Sequence, residues 1–186
     1  MPLPLGHAAI GFVAYDLCSK KTASRSHWKL FSFVVVLANL PDIDVLLGLL
    51  LAGNGSLYHR GPTHSLVFAL LAGFLASNAW RAWRQIPKIN FSLAFLIILS
   101  HVLADLLFTT SPTSLFWPLE VHWSAGYSGW NEVITSVFLT PLKDVGIILL
   151  SLFTVFVTRF LRGFNSRIRP SLPEAIRAFQ NRPFHP

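Results

Sequence analysis

Hydrophobic residues run through this chain in long blocks rather than in alternation. The blocks are Ala8 to Leu17, Leu30 to Ala52, Leu66 to Trp83, Phe91 to Thr109 and Val145 to Leu161. A helix needs about 20 residues to cross the hydrocarbon core of a bilayer. Four of the blocks therefore predict spanning helices. The first, Ala8 to Leu17, is too short to cross fully and predicts a half-buried or re-entrant helix. Lipid offers no water to unpaired backbone groups, so helices are the default spanning element, and no segment has the short alternating strands of a barrel. The expected class is all-α: a polytopic membrane helix bundle of about four transmembrane helices plus a short N-terminal half-buried helix.

Composition supports lipid as the main solvent. Of 186 residues, 53% are hydrophobic and 12% charged, against roughly a quarter charged in an ordinary soluble domain, and mean hydropathy is +0.54. A disordered chain is excluded. The net charge of +7 would suggest nucleic acid in a soluble protein, but here its meaning depends on position along the chain. Lys20, Lys21, Arg25 and Lys29 follow the first block; Arg81, Arg84 and Lys88 follow the third; Arg159, Arg162, Arg167, Arg169, Arg177 and Arg182 lie at or beyond the last. Under up-and-down threading all of these share one side, which the positive-inside rule makes cytoplasmic. Only Arg60 and Lys143 fall on the other. The loop from Thr110 to Leu142, with Trp117, Trp123, Tyr127 and Trp130, is expected as an aromatic belt at the outer interface. No nucleic-acid partner is expected. The single cysteine, Cys18, cannot form an internal disulfide, and the start, lacking a basic n-region, does not read as a cleavable signal.

Residues 1–162 are expected to form one membrane-embedded domain and residues 163–186, rich in Pro and Arg, a basic cytoplasmic tail. A short helix over Pro173 to Gln180 could rest on anionic headgroups, or the tail could be partly disordered.

Ionisable side chains inside apolar blocks are costly and mark functional sites by default. His7 opens the first block, Asp42 and Asp44 interrupt the second, His59 and His64 frame the next connection, and His101 and Asp105 sit in the fourth. Imidazole and carboxylate without lysine is metal-ligand chemistry. His101 and Asp105, four apart on a helix, stack on one face. Pro41 favours a break before Asp42 and Asp44, and either aspartate could instead serve as an N-cap. Gly61-Pro62 predicts a tight connection, with Thr63 as N-cap of a helix beginning near His64. The threading brings all seven residues into the outer half of the bilayer. His101 with Asp105 could alternatively be a hydrogen-bonded pair joining helices. His122 and Glu132 suit a solvated role in the outer loop, or could close a second metal site.

The set Gly6-His7, Leu40-Pro41-Asp42-Ile43-Asp44, His59-Arg60-Gly61-Pro62-Thr63-His64-Ser65, His101-Val102-Leu103-Ala104-Asp105 and Phe116-Trp117-Pro118 resembles the YdjM-type family of bacterial inner-membrane predicted metal-dependent hydrolases. The order His, Asp, His, then His-x-x-x-Asp is more remotely similar to the zinc-dependent phospholipase C and P1-nuclease group, all-helical enzymes that hydrolyse phosphoesters with clustered zinc. That resemblance implies His7, Asp44, one of His59 or His64, His101 and Asp105 as ligands. The N-terminal Trp ligand of that group has no counterpart, because position 1 is Met, so one or two ions are expected rather than three.

These readings combine into an expectation of an inner-membrane, multi-pass hydrolase with its site toward the outer face. His7, Asp44, His59, His64, His101 and Asp105 would hold the metal, with Asp42 a further ligand or the general base. The ligand set suits Zn²⁺, or Mn²⁺ or Fe²⁺. Such an ion lowers the pKa of bound water from 15.7 to about 7. Arg60, whose planar fork matches two oxygens, would bind the anionic group of an amphiphilic or phosphorylated substrate drawn from membrane lipid. The alternatives are a divalent-cation transporter and a non-catalytic membrane protein fastened by a structural His/Asp cluster.

Overall fold

A computed structural model describes residues 4–19, 27–108, 112–119, 121–123 and 143–168. Among the described residues the elements are six α-helices: α1 (Pro4–Cys18), α2 (His27–Ala38), α3 (Ile43–Ala52), α4 (Leu66–Ala82), α5 (Phe91–Phe108) and α6 (Lys143–Ile168). Two short 3₁₀ turns, Leu40–Asp42 and Pro62–His64, adjoin α3 and α4. The described residues contain no strand, only a single bridge between Thr113 and Trp123. The expected basic tail beyond Ile168, His185, Glu132, Tyr127 and Trp130 lie outside the described residues.

The second hydrophobic block is broken. Pro41 has no N–H to donate and disfavours a helical Leu40, while the side chain of Asn39 donates to the Val35 carbonyl at 2.9 Å. The chain makes one 3₁₀ turn and restarts as α3, bent by 56° from α2. Gly53 closes α3 in the left-handed conformation, φ 65°, its N–H reaching back to the carbonyls of Gly48 and Leu49.

α5 packs against α1, α2 and α4. Where lipid supplies no hydrophobic drive between helices, small residues that allow close approach hold a bundle together. Ala69, Ala72, Gly73 and Ala76 form such a stripe on α4, facing a core of Leu93, Ala94, Ile97 and Ile98 from α5 and Val34, Leu37 and Ala38 from α2. The outer surface is apolar: Leu149, Leu150, Phe153, Phe156 and Phe160 of α6 are all exposed.

The first helix extends beyond its hydrophobic block at both ends. It is 15 residues long, Pro4–Cys18, and packs on α2, α5 and α6. It is a member of the bundle. Its far end is fastened by Asp16, which receives Nε and Nη2 of Arg159 at 2.9 and 2.8 Å and lies 3.6 Å from Nη1 of Arg162. The α1–α6 contact near Asp16 and the antiparallel α4–α5 hairpin place Arg81, Arg84, Arg159 and Arg162 at the end away from His7.

Among the described residues one helix, Val145–Phe164, is by itself long and apolar enough to cross a membrane. Trp28–Ala38 and Leu40–Ala52 qualify as a second only if the bent pair is one span, and the apolar segments Leu66–Ala82 and Phe91–Leu107 are shorter.

Candidate metal centre

All seven ionisable residues singled out by their apolar surroundings meet at one end of the bundle, together with Arg60. Four stretches supply them: the start of α1, the break between α2 and α3, the connection into α4, and the second half of α5. His7, His64, His101 and Asp105 are fully buried.

His101 shows the clearest polarity. Its Nδ1 lies 2.7 Å from the carbonyl oxygen of Ala38. A carbonyl only accepts, so Nδ1 carries the proton and Nε2 presents a lone pair, the posture of a metal-ligating histidine oriented by a backbone acceptor. That lone pair faces Oδ1 of Asp42 at 3.3 Å. Two acceptors turned toward each other repel unless a cation or a proton lies between them. His7 stacks on His101, ring centroids 3.6 Å apart at 16°, with Nε2 3.5 Å from Oδ1 of Asp105. Neither ring nitrogen of His7 has a hydrogen-bond partner.

Asp42 occupies the N-cap position of α3, yet its side chain makes no capping bond. Oδ1 points into the centre, 3.6 Å from Nε2 of His64 and 3.9 Å from Nδ1 of His59. Asp44 is engaged differently. Its carboxylate accepts from the Thr63 hydroxyl at 2.6 Å and the Arg60 amide at 3.1 Å, and meets Nδ1 of His59 at 3.1 Å and Nδ1 of His64 at 3.2 Å. The potential ligand atoms form two groups, each with members within 4.8 Å of one another: Asp42, His59, His64 and Asp105; and His7, His101 and Asp105. Asp44, expected as a ligand, belongs to neither group.

The connection is built by its own hydrogen bonds. Ser65 is the N-cap of α4: its hydroxyl accepts from the Phe68 amide at 3.1 Å and donates to the Pro62 carbonyl at 2.6 Å. Thr63 was the expected cap, but its hydroxyl is engaged by Asp44. Arg60 adopts φ 69°, a conformation uncommon outside glycine and found where surroundings over-determine it. Its carbonyl accepts from the Ser114 amide at 3.3 Å. Its Nε lies 3.7 Å from Oδ2 of Asp105. Burial alone would lower the pKa of His64, but the carboxylates of Asp105, Asp42 and Asp44 beside it outweigh burial and push it up to about 10. The three carboxylates thus favour positive charge at this point, whether on the imidazole or on an ion.

His122 stands apart, exposed, with Nδ1 3.2 Å from the Ser114 hydroxyl. Sequence reasoning overlooked Ser114, whose amide straps a distant segment onto Arg60, and Asp16, whose partners lie more than a hundred residues away. The donor set, two carboxylates and four imidazoles around a buried point, fits a divalent cation.

Comparison with known proteins agrees with the membrane character of the chain. A family described as YdjM inner membrane protein matches residues 1–168. Inner membrane protein YbcI of Escherichia coli (strain K12) is 35% identical over 141 residues, covering 74% of this chain and 79% of that protein. No solved structure matches the chain. With the match spanning every element that contributes to the centre, the chain belongs to the YdjM family of inner membrane proteins.

Proposed function

We propose that this protein is a multi-pass, metal-dependent hydrolase of the inner membrane, cleaving phosphoester bonds in an amphiphilic or lipid-like substrate. The observation that carries this reading is the lone pair of His101 Nε2, fixed by the Ala38 carbonyl and aimed at a carboxylate oxygen within a buried His/Asp cluster. His7, Asp42, His59, His64, His101 and Asp105 hold the ion, Zn²⁺ first among the candidates and Mn²⁺ or Fe²⁺ also suited. The ion supplies Lewis-acid activation of water at neutral pH.

The chain's own residues do the rest. Asp44 positions His59, His64 and Thr63 rather than binding directly. Arg60 sits beside Asp105 with a fork able to grip two phosphoryl oxygens. Asp42, with a side chain 17% exposed where Asp105 is fully buried, is the ligand that an incoming water reaches first.

α4 and α5, 17 and 18 residues long, would measure about 26 Å each, at the short limit for spanning. Together with α6 and the bent α2–α3 pair they make four spans. Arg81, Arg84, Arg159 and Arg162 mark the cytoplasmic end, which puts the centre toward the outer face and the segment beyond residue 162 inside. α6 itself continues through Ile168. A cation pathway is less well supported. Along the bundle away from the centre, the described helices offer Asp16 as their next carboxylate, and two arginines hold it.

The test uses detergent-purified protein. Wild type is expected to contain bound metal and to hydrolyse generic phosphoesters or lipid phosphates, with His101→Ala losing both by at least 100-fold in activity. A metal-loaded wild type inert across a broad phosphoester panel would leave the structural reading standing.

A further inference from the structure

We infer that the centre is built for two divalent ions that share Asp105 and differ in how readily they exchange. This deepens the metal-centre reading and rests on it.

Six donor residues, His7, Asp42, His59, His64, His101 and Asp105, converge here, more than the four a single Zn²⁺ ordinarily takes from protein. They divide into two groups, each mutually within 4.8 Å, and Asp105 is the member common to both. Its two oxygens face different ways: Oδ1 lies 3.5 Å from Nε2 of His7, and Oδ2 lies 3.4 Å from Nε2 of His64. Asp42 stands between the groups on another side, its Oδ1 3.3 Å from His101 and 3.6 Å from His64. A carboxylate common to two donor sets suits a pair of adjacent ions.

One ion in the Asp42–His59–His64 group would leave His7 with only its 3.5 Å approach to Asp105 Oδ1. A fully buried imidazole with neither nitrogen hydrogen-bonded is costly to maintain. A second ion on His7, His101 and Asp105 gives it a partner.

The groups differ in access. His7, His101 and Asp105 are all 0% exposed, whereas the side chains of Asp42 and His59 are 17% and 12% exposed. The helical group is therefore the tight site, and the group on the α2–α3 break and the following connection is the labile one, open to water and substrate. Two adjacent cations would suit phosphoester cleavage, where such a pair steadies the attacking and leaving oxygens.

The full-length protein, stripped and reloaded with Zn²⁺ alone in detergent, is expected to hold two Zn²⁺ per chain by elemental analysis. A chelator chase should release one at least tenfold faster than the other. His59→Gln should remove the fast phase, and His7→Gln the slow one, each leaving one ion. Loading with Mn²⁺ should give the spin-coupled resonance of a bridged pair, lost in Asp105→Asn. The glutamine variants keep side-chain volume, and melting curves identify any that fail to fold; a single phase in wild type overturns the inference independently of them. One Zn²⁺ per chain with phosphoester hydrolysis refutes the second ion and spares the hydrolase reading. Two Zn²⁺ without hydrolysis does the reverse, and none in a folded preparation refutes both.

Discussion

Asp44 accepts from the Thr63 hydroxyl and the Arg60 amide while facing the imidazoles of His59 and His64. One carboxylate thereby sets the aim of two imidazoles and the backbone of Arg60 between them. Such outer partners tune metal affinity without touching the ion. Thr63→Val removes the shortest of these bonds and should weaken Zn²⁺ affinity about 10- to 100-fold while leaving an intact centre; titration against a competing chelator measures it, and an unchanged affinity would remove Asp44 and Thr63 from the supporting role. At this scale the sequence was informative about which residues matter, because an imidazole or carboxylate inside an apolar block is costly wherever it sits. It was not informative about who does what. Asp42 and Asp44 are two positions apart across a break, and only the direction of α3 turns one into the centre and the other onto the connection. Thr63 and Ser65 are both good caps, and the neighbouring Asp44 takes one of them.

At the scale of elements, the approach of α1 to α2 and α5 decides whether His7 reaches the centre at all. A Cβ built on Gly11 would come within 2.6 Å of the Ala38 Cβ and 3.5 Å of Ile97. The carbonyl of Ala38 is also the acceptor that orients His101. Gly11→Leu should therefore push α1 outward, separate the stacked rings of His7 and His101, and cost the ion proposed on His7, His101 and Asp105. Bound metal should fall while α2, α4 and α5 keep their helicity, and retention of wild-type metal content would show that the crossing is not what brings His7 in. The break at Pro41 was legible because proline acts on its own neighbours. The length of α1 was not: a ten-residue hydrophobic block understates a helix that also takes in Pro4, Leu5, Gly6 and His7 and whose burial comes from three neighbours.

At the scale of the whole molecule, charge and chemistry occupy opposite ends. Asp16, Arg159 and Arg162 fasten α1 to α6 at one end, and the His/Asp centre closes the other. The chain carries its own reporter of orientation in Cys18, its single cysteine, which is exposed at the basic end. A membrane-impermeant maleimide should label Cys18 in inside-out vesicles and spare it in intact spheroplasts, with Cys18→Ala as the blank; labelling from outside would invert the proposed topology and put the centre on the cytoplasmic face. Segregation of basic residues along the chain, an all-helical architecture and the presence of a His/Asp site were all determined by the sequence alone, because solvation by lipid and the cost of burying charge act residue by residue. The division of six donor residues into two groups, the place of Asp105 in both, the position of Asp44 outside them and the clamp on Asp16 were decided only by the tertiary structure. Each depends on the distance between atoms on different helices, and that distance follows from how small residues let those helices approach rather than from any local preference of the chain.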